Sequence, residues 1–164
     1  MLNHNEEKQL SELLAKLEFP VSKELFKSIM SSFVSVPIEL AIFNKNDQIL
    51  LTYREDEEYQ GFHMPGTVLQ NNETVPNALE RLFNTEIKGL KLSEPKSIGW
   101  LEINKGSGEG KNNSRHEISL LHQCMLIEPD NETKYNFFEL SKLPENTLPH
   151  HSKIIREMIT KKVT

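Results

Sequence analysis

The run Gly61-Phe62-His63-Met64-Pro65-Gly66-Thr67-Val68-Leu69-Gln70-Asn71-Asn72-Glu73-Thr74, continuing into Val75-Pro76-Asn77-Ala78-Leu79-Glu80-Arg81-Leu82-Phe83-Asn84-Thr85-Glu86-Ile87, decides how this 164-residue chain is read. Phe62 to Leu69 reads as an extended segment that Pro65-Gly66 bends in its middle. From Val75 onward, Leu79, Leu82, Phe83, Glu86 and Ile87 recur at the spacing of a helix. The hydroxyl of Thr74 is placed to accept a first-turn amide proton, and Pro76 is tolerated there because first-turn N–H groups have no partner inside the helix.

Working outward, Pro37 to Phe43 and Gln48 to Tyr53 are two β-rich runs around the polar Asn44-Lys45-Asn46-Asp47, which predicts a hairpin within Val36–Tyr53. Before it, Leu10, Leu13, Leu14 and Leu17 share one helical stripe, ended at Phe19-Pro20. Leu25, Phe26, Ile29, Met30 and Phe33 share another, with Ser22 as cap. Residues 1–33 are thus expected to form a helical extension, packed on the 34–164 body or on a second copy. After the central helix come strand-like stretches at Ser97–Ile103, His116–Ile127 and Tyr135–Leu140. The glycine-rich Asn104–Ser114 is expected to be a mobile hairpin tip; its G-x-G-x-G opens no helix and so gives no phosphate cradle. Ile154, Ile155, Met158 and Ile159 predict a closing amphipathic helix within Pro149–Lys162.

Composition bounds the partners. Hydrophobic residues make up 37%, charged residues 26%, and the formal net charge is −5, so no bulk positive field favours a nucleic-acid backbone. The lone Cys124 cannot pair internally, the first 16 residues lack a signal peptide's apolar core, and no run reaches 18 apolar residues. These features predict a cytoplasmic protein that does not enter membranes.

The central stretch resembles the Nudix family. That family's box reads G-x5-E-x7-R-E-U-x-E-E-x-G-U, where U is a bulky apolar residue, and a G-W-x-x-P-G lead-in commonly precedes it. Gly61, Pro65 and Gly66 match the lead-in; Glu73, Arg81, Phe83 and Glu86 match the box. Phe137 to Pro144 and Leu148-Pro149-His150-His151 are similar to the family's aromatic strand, L-P turn and terminal helix, so the likeness spans about Val36 to Lys162. The resemblance implies an α/β fold, a Nudix-like α/β/α sandwich with a mixed sheet. It also implies hydrolysis of the pyrophosphate of a nucleoside diphosphate linked to another moiety.

Four box positions differ: Thr67 replaces the leading glycine, Leu82 and Thr85 replace two helix glutamates, and Lys88 replaces the later glycine. In the family those glutamates hold Mg²⁺, which takes carboxylates and substrate phosphates in octahedral geometry. Glu86 is the one retained helix carboxylate, so it is the metal candidate, and Mg²⁺ is expected to bind weakly or not at all. Glu86, Glu73 and Arg81 are the catalytic candidates; for Glu73 and Arg81 the other reading is an ion pair tying loop to helix. Two functions stay open: a pyrophosphohydrolase, weakened by the loss of two glutamates, or a non-catalytic nucleotide-binding or regulatory domain. A homodimer through the N-terminal helices is a further expectation.

Substrate-binding candidates are Arg54, His63 and Arg115. Arg54 either meets a ligand phosphate or pairs with the acids at 55–58. His63 either bonds a ligand beside the Pro65-Gly66 bend or is a satisfied strand histidine. Arg115, with His116 and Glu117, stands next to the glycine-rich tip, where a ligand-closing role is open. Trp100 is expected in the core, with base stacking as the alternative, and His150-His151 as a helix N-terminal pair. Cys124 is expected to be buried and inert, and no G-x-S-x-G elbow is present.

Overall fold

The computed structural model describes residues 2–56, 59–105, 115–128 and 135–159. Its elements are α1 (His4–Leu14), α2 (Lys23–Ser32), β1 (Pro37–Phe43), β2 (Gln48–Glu55), β3 (Gln60–His63), β4 (Gly66–Val68), α3 (Val75–Thr85), β5 (Lys91–Leu92), β6 (Lys96–Lys105), β7 (Arg115–Glu128), β8 (Asn136–Glu139) and α4 (Pro149–Ile154). A π-helical turn, Ile155–Ile159, continues α4. Residues 106–114 of the predicted glycine-rich tip lie outside the described residues.

β1 organises the sheet because all seven of its residues are buried. Such continuous burial requires cover on both faces, the signature of a strand inside a sandwich. β1 runs parallel to β7, with Ile38 opposite Leu120 and Phe43 opposite Met125. On its other edge its first residues pair antiparallel with β4, while Phe43 pairs with Ile49 of β2. The path β3-β2-β1-β7-β5 is completed by β8 on β2 and β6 on β7. The result is a mixed sheet.

Alternation along β1 divides the core. Ile38, Leu40 and Ile42 pack with Ala78, Leu79 and Leu82 of α3. Ala41 and Phe43 face the other way and join Ile154 and Ile155 at the end of α4. Helices therefore cover both faces, giving the α/β/α sandwich. Glu39 shares the parity of Ala41 and Phe43, which puts a buried carboxylate on the α4 side.

The Phe62–Leu69 segment is two strands rather than one, since Met64-Pro65 interrupts the ladder: β3 pairs with β2, and β4 with β1. The hairpin turn at residues 44–47 places Asp47 at φ 57°, a left-handed conformation that Asp tolerates. α3 begins as predicted, with Asn77 N donating to Thr74 Oγ1 at 3.4 Å, and ends at Thr85 with Glu86 as its cap. In the extension, α2 lies against β7 and buries Met30, whereas none of the residues of α1 is buried.

Trp100 departs from expectation. It lies on β6 opposite Leu120, but is 63% exposed, because β6 flanks β7 beyond the helix-covered centre of the sheet. Since the chain has one tryptophan, its fluorescence should resemble that of an indole in water and be strongly quenched by iodide. A blue-shifted, iodide-resistant emission would contradict this placement.

Candidate functional site

The loop between β4 and α3 is held by one guanidinium. Arg81 Nε donates to Glu73 Oε1 at 2.8 Å and Nη2 to Oε2 at 2.8 Å, a bidentate fork. The same side chain donates to Thr67 Oγ1 at 2.6 Å and to the Val68 carbonyl at 3.0 Å. Gln70 N adds a bond to Glu73 Oε2 at 3.0 Å. Thr67, which stands where the box has glycine, is therefore an acceptor for the arginine. Asn72, at φ 61°, allows the loop to reverse just before Glu73. The hydrogen bonds from Arg81 hold the Glu73 carboxyl below its usual range, and Glu73 in turn raises Arg81. Both members of the predicted ion pair are thus occupied in fastening strand to helix.

The three helix positions that carry carboxylates in the family's box do not converge on a cation here. Leu82 is 1% exposed and packs among Ile38, Leu40 and Ile42. A glutamate introduced there would bury a charge in hydrocarbon. Thr85 turns its hydroxyl back onto the helix, donating to the Arg81 carbonyl at 2.8 Å. Glu86 accepts from Thr52 Oγ1 at 2.7 Å through Oε1 and from Gly66 N at 3.4 Å through Oε2. These donors offset the negative end of the helix dipole that Glu86 meets as a C-terminal cap. Among the described residues, no group of three His, Cys, Asp or Glu side chains is placed to hold a metal ion. Mg²⁺ wants several oxygen ligands, and a single carboxylate already engaged by two donors does not fit it.

His63 stands beside Glu86. Its Nδ1 lies 2.7 Å from the Met64 carbonyl, which puts a ring proton on that nitrogen, and its Nε2 lies 3.1 Å from Thr52 Oγ1 and 3.8 Å from Glu86 Oε1. Burial lowers its pKa, with Glu86 opposing that effect. On the far side of the bend, a Cβ on Gly66 would come within 2.5 Å of Glu39 Oε2, so any side chain there would require the Glu39 carboxylate to shift. Glu39 Oε2 is 3.7 Å from His151 Nδ1, which also receives Met64 N at 3.4 Å. The rings of His150 and His151 lie 4.2 Å apart, and those of His63 and His151 5.6 Å.

Glu39, His63, Gly66, His150 and His151 border a cleft of about 270 Å³, to which α2 contributes Lys23, Phe26 and Lys27. Arg54 rims it but bonds Asp56 at 2.5 Å and lies 4.9 Å from the Tyr59 ring centre, so it pairs with a following acid. His116 binds Glu102 at 2.7 Å across β6 and β7, away from the cleft, whereas its neighbour Glu117 is buried and lines it. Arg115 opens β7 opposite Lys105, and its side chain lies outside the described residues. Sequence reasoning missed Thr52, Glu39 and the two lysines as site residues. Glu39 had a readable signal, an acid within an otherwise apolar strand; Thr52 had none.

Comparison with solved structures places this architecture: the chain has the fold of the Nudix hydrolases. A MutT Nudix hydrolase from Burkholderia pseudomallei superposes with a TM-score of 0.59 at 20% identity, covering 78% of this chain and 99% of its own. The Nudix domain of Shewanella oneidensis NrtR, solved with ADP ribose, gives 0.55 at 14% identity over 94% of this chain and 98% of that domain. An ADP-ribose pyrophosphatase from Streptococcus suis gives 0.54 at 19%, covering 77% and 88%. No family model matches the chain, and no curated protein matches it.

Because Glu73 titrates below its ordinary value of 4.5 in the folded chain, its stabilisation is present above that pH and lost as pH falls through the lowered value. Glu73→Gln should cost about 1–2 kcal/mol at pH 7, reduced by the partial exposure of Arg81, and less at pH 3. Urea unfolding at the two pH values reads the gap, and an equal gap at both would refute the role given to this pair.

Proposed function

We propose that this chain binds a nucleoside diphosphate linked to another group in the cleft beside Gly66, and that it has lost pyrophosphate cleavage. The observation that carries this function is the contrast within α3: the Arg81–Glu73 fastening is intact, while Leu82, Thr85 and Glu86 are each committed elsewhere. Phe26 and Tyr59 offer apolar rings for a base or sugar, and the lysines and imidazoles offer donors. The neighbour solved with ADP ribose supports this ligand class.

The rival function is an impaired, Mg²⁺-assisted pyrophosphohydrolase. One observation favours it: Glu39, which lines the cleft, stands against Gly66, whose N–H donates to Glu86 at 3.4 Å, so a second carboxylate stands near Glu86. ADP-ribose and UDP-sugars should raise the melting temperature equally in EDTA and in Mg²⁺, with no product released after long incubation. Product release with Mg²⁺ or Mn²⁺ would establish the rival instead. The compartment we assign is the cytoplasm, where a single buried thiol such as Cys124, pushed by burial to about 12, stays reduced and unreactive.

We also propose that two copies pair through α1, on which Leu10, Leu13 and Leu14 stand exposed. Light scattering should read a dimer for the full chain and a monomer for Leu10→Glu with Leu13→Glu. Equal masses would dismiss pairing through this helix.

A further inference from the structure

The apolar stripe that α2 presents to the body is only partly covered: Met30 is buried, Phe26 and Ile29 are half-buried, and Phe33 at the helix end is 61% exposed. Val68 of β4 and Leu69 stand across from it, and the space between holds a cavity of about 390 Å³, larger than the cleft beside Gly66. We propose that this cavity is a second binding site, for an uncharged, planar aromatic molecule whose edge carries an amide-like donor and acceptor pair. It adjoins the cleft, since Phe26, Thr67 and Val68 belong to the walls of both, and it stands whether or not a nucleotide binds there.

Three features set the ligand's class. Apolar walls that converge on a few polar groups are the usual make-up of a small-molecule site, and this volume lies within the range such sites span. Phe19, Phe26 and Phe33 all border the space, which favours a flat aromatic body over a flexible chain, because rings gain from stacked or edge-on contact with one another. At the loop side stand the carboxamides of Gln70 and Asn71, neither of which has a hydrogen-bond partner among the described residues. A carboxamide presents a donor and an acceptor side by side, so it pairs with an amide or heterocycle edge of the same pattern. Charge then excludes acids and bases. Arg81 is the one charged residue in the walls among the described residues, and Glu73 already meets its guanidinium through two bonds of 2.8 Å. The walls hold no other charge to balance an ion that leaves water, so the ligand is neutral. An occupant would also tie the N-terminal extension to the loop that Arg81 fastens.

Equilibrium dialysis of the full chain against 2-naphthamide, naphthalene and 2-naphthoate at pH 7 compares one ring body with three edges. The amide should bind most tightly of the three and raise the melting temperature. Gln70→Met with Asn71→Ala should weaken 2-naphthamide by about three- to thirtyfold, as expected for one or two lost hydrogen bonds, and leave naphthalene binding and the melting temperature of the free chain unchanged. Ile29→Trp, which fills the space from α2, should abolish binding of both neutral probes while far-UV dichroism stays that of the unaltered chain. If 2-naphthoate binds more tightly than the amide, or if the Gln70 and Asn71 variant holds the amide as tightly as the unaltered chain, the ligand chemistry assigned here is wrong. If neither neutral probe binds there is no ligand site, and a dimer that Ile29→Trp disrupts would give the face to a second copy instead. Adenosine separates two sources of such a ring: displacement of 2-naphthamide by adenosine assigns the cavity to the base of a nucleoside, and undiminished binding in excess adenosine assigns it to a separate molecule.

Discussion

The guanidinium of Arg81 is the constraint on which the site depends. One side chain donates to the carboxylate of Glu73, the hydroxyl of Thr67 and the carbonyl of Val68, and so joins β4, the following loop and α3 into a single piece. Charge-assisted, bidentate geometry makes this fastening directional as well as strong. It fixes the distance from the Pro65-Gly66 bend to the C-terminal end of α3, and that distance brings Gly66 N to Glu86. Without it, the polar loop 69–74 would have few contacts to hold it.

The replaced box residues have physical roles of their own. Leu82 joins the core between β1 and α3, Thr85 bonds its own helix, and Thr67 serves Arg81. Glu86 keeps its carboxylate but finds a hydroxyl and an amide. An acid near the negative end of a helix is unfavourable in isolation, and these two donors are what make it tolerable. The retained and altered positions together describe a scaffold kept intact around a centre organised by hydrogen bonds. The positively charged and imidazole side chains that line the cleft lie outside the box, on α2 and β2 and among the histidines.

Much of the fold was legible because its signals are local. The helix from Val75, its Thr74 cap, the turn at residues 44–47 and the α2 cap at Ser22 all depend on residues within a few positions of each other. The pairing of Glu73 with Arg81 was legible only through the resemblance of both positions to the Nudix box. Thr52 and Glu39 were not legible as site residues, since they approach Glu86 and Gly66 across the sheet rather than along the chain. Trp100 was misjudged because strand character says that a side chain points to one face, without saying whether a helix covers that face.

The sequence alone determined the order of the main helices and most strands, the charge balance that disfavours a nucleic-acid backbone, and the presence of Leu82 and Thr85 beside Glu86. Local backbone preferences, side-chain period and residue chemistry act over short spans, so they can be read along a line. Tertiary structure decided that Leu82 turns inward, that Gly66 stands against the Glu39 carboxylate and donates to Glu86, and that α2 lends Lys23 and Lys27 to the cleft. Each of these depends on sheet register and on which helix covers which face, quantities settled by packing between elements distant in the chain.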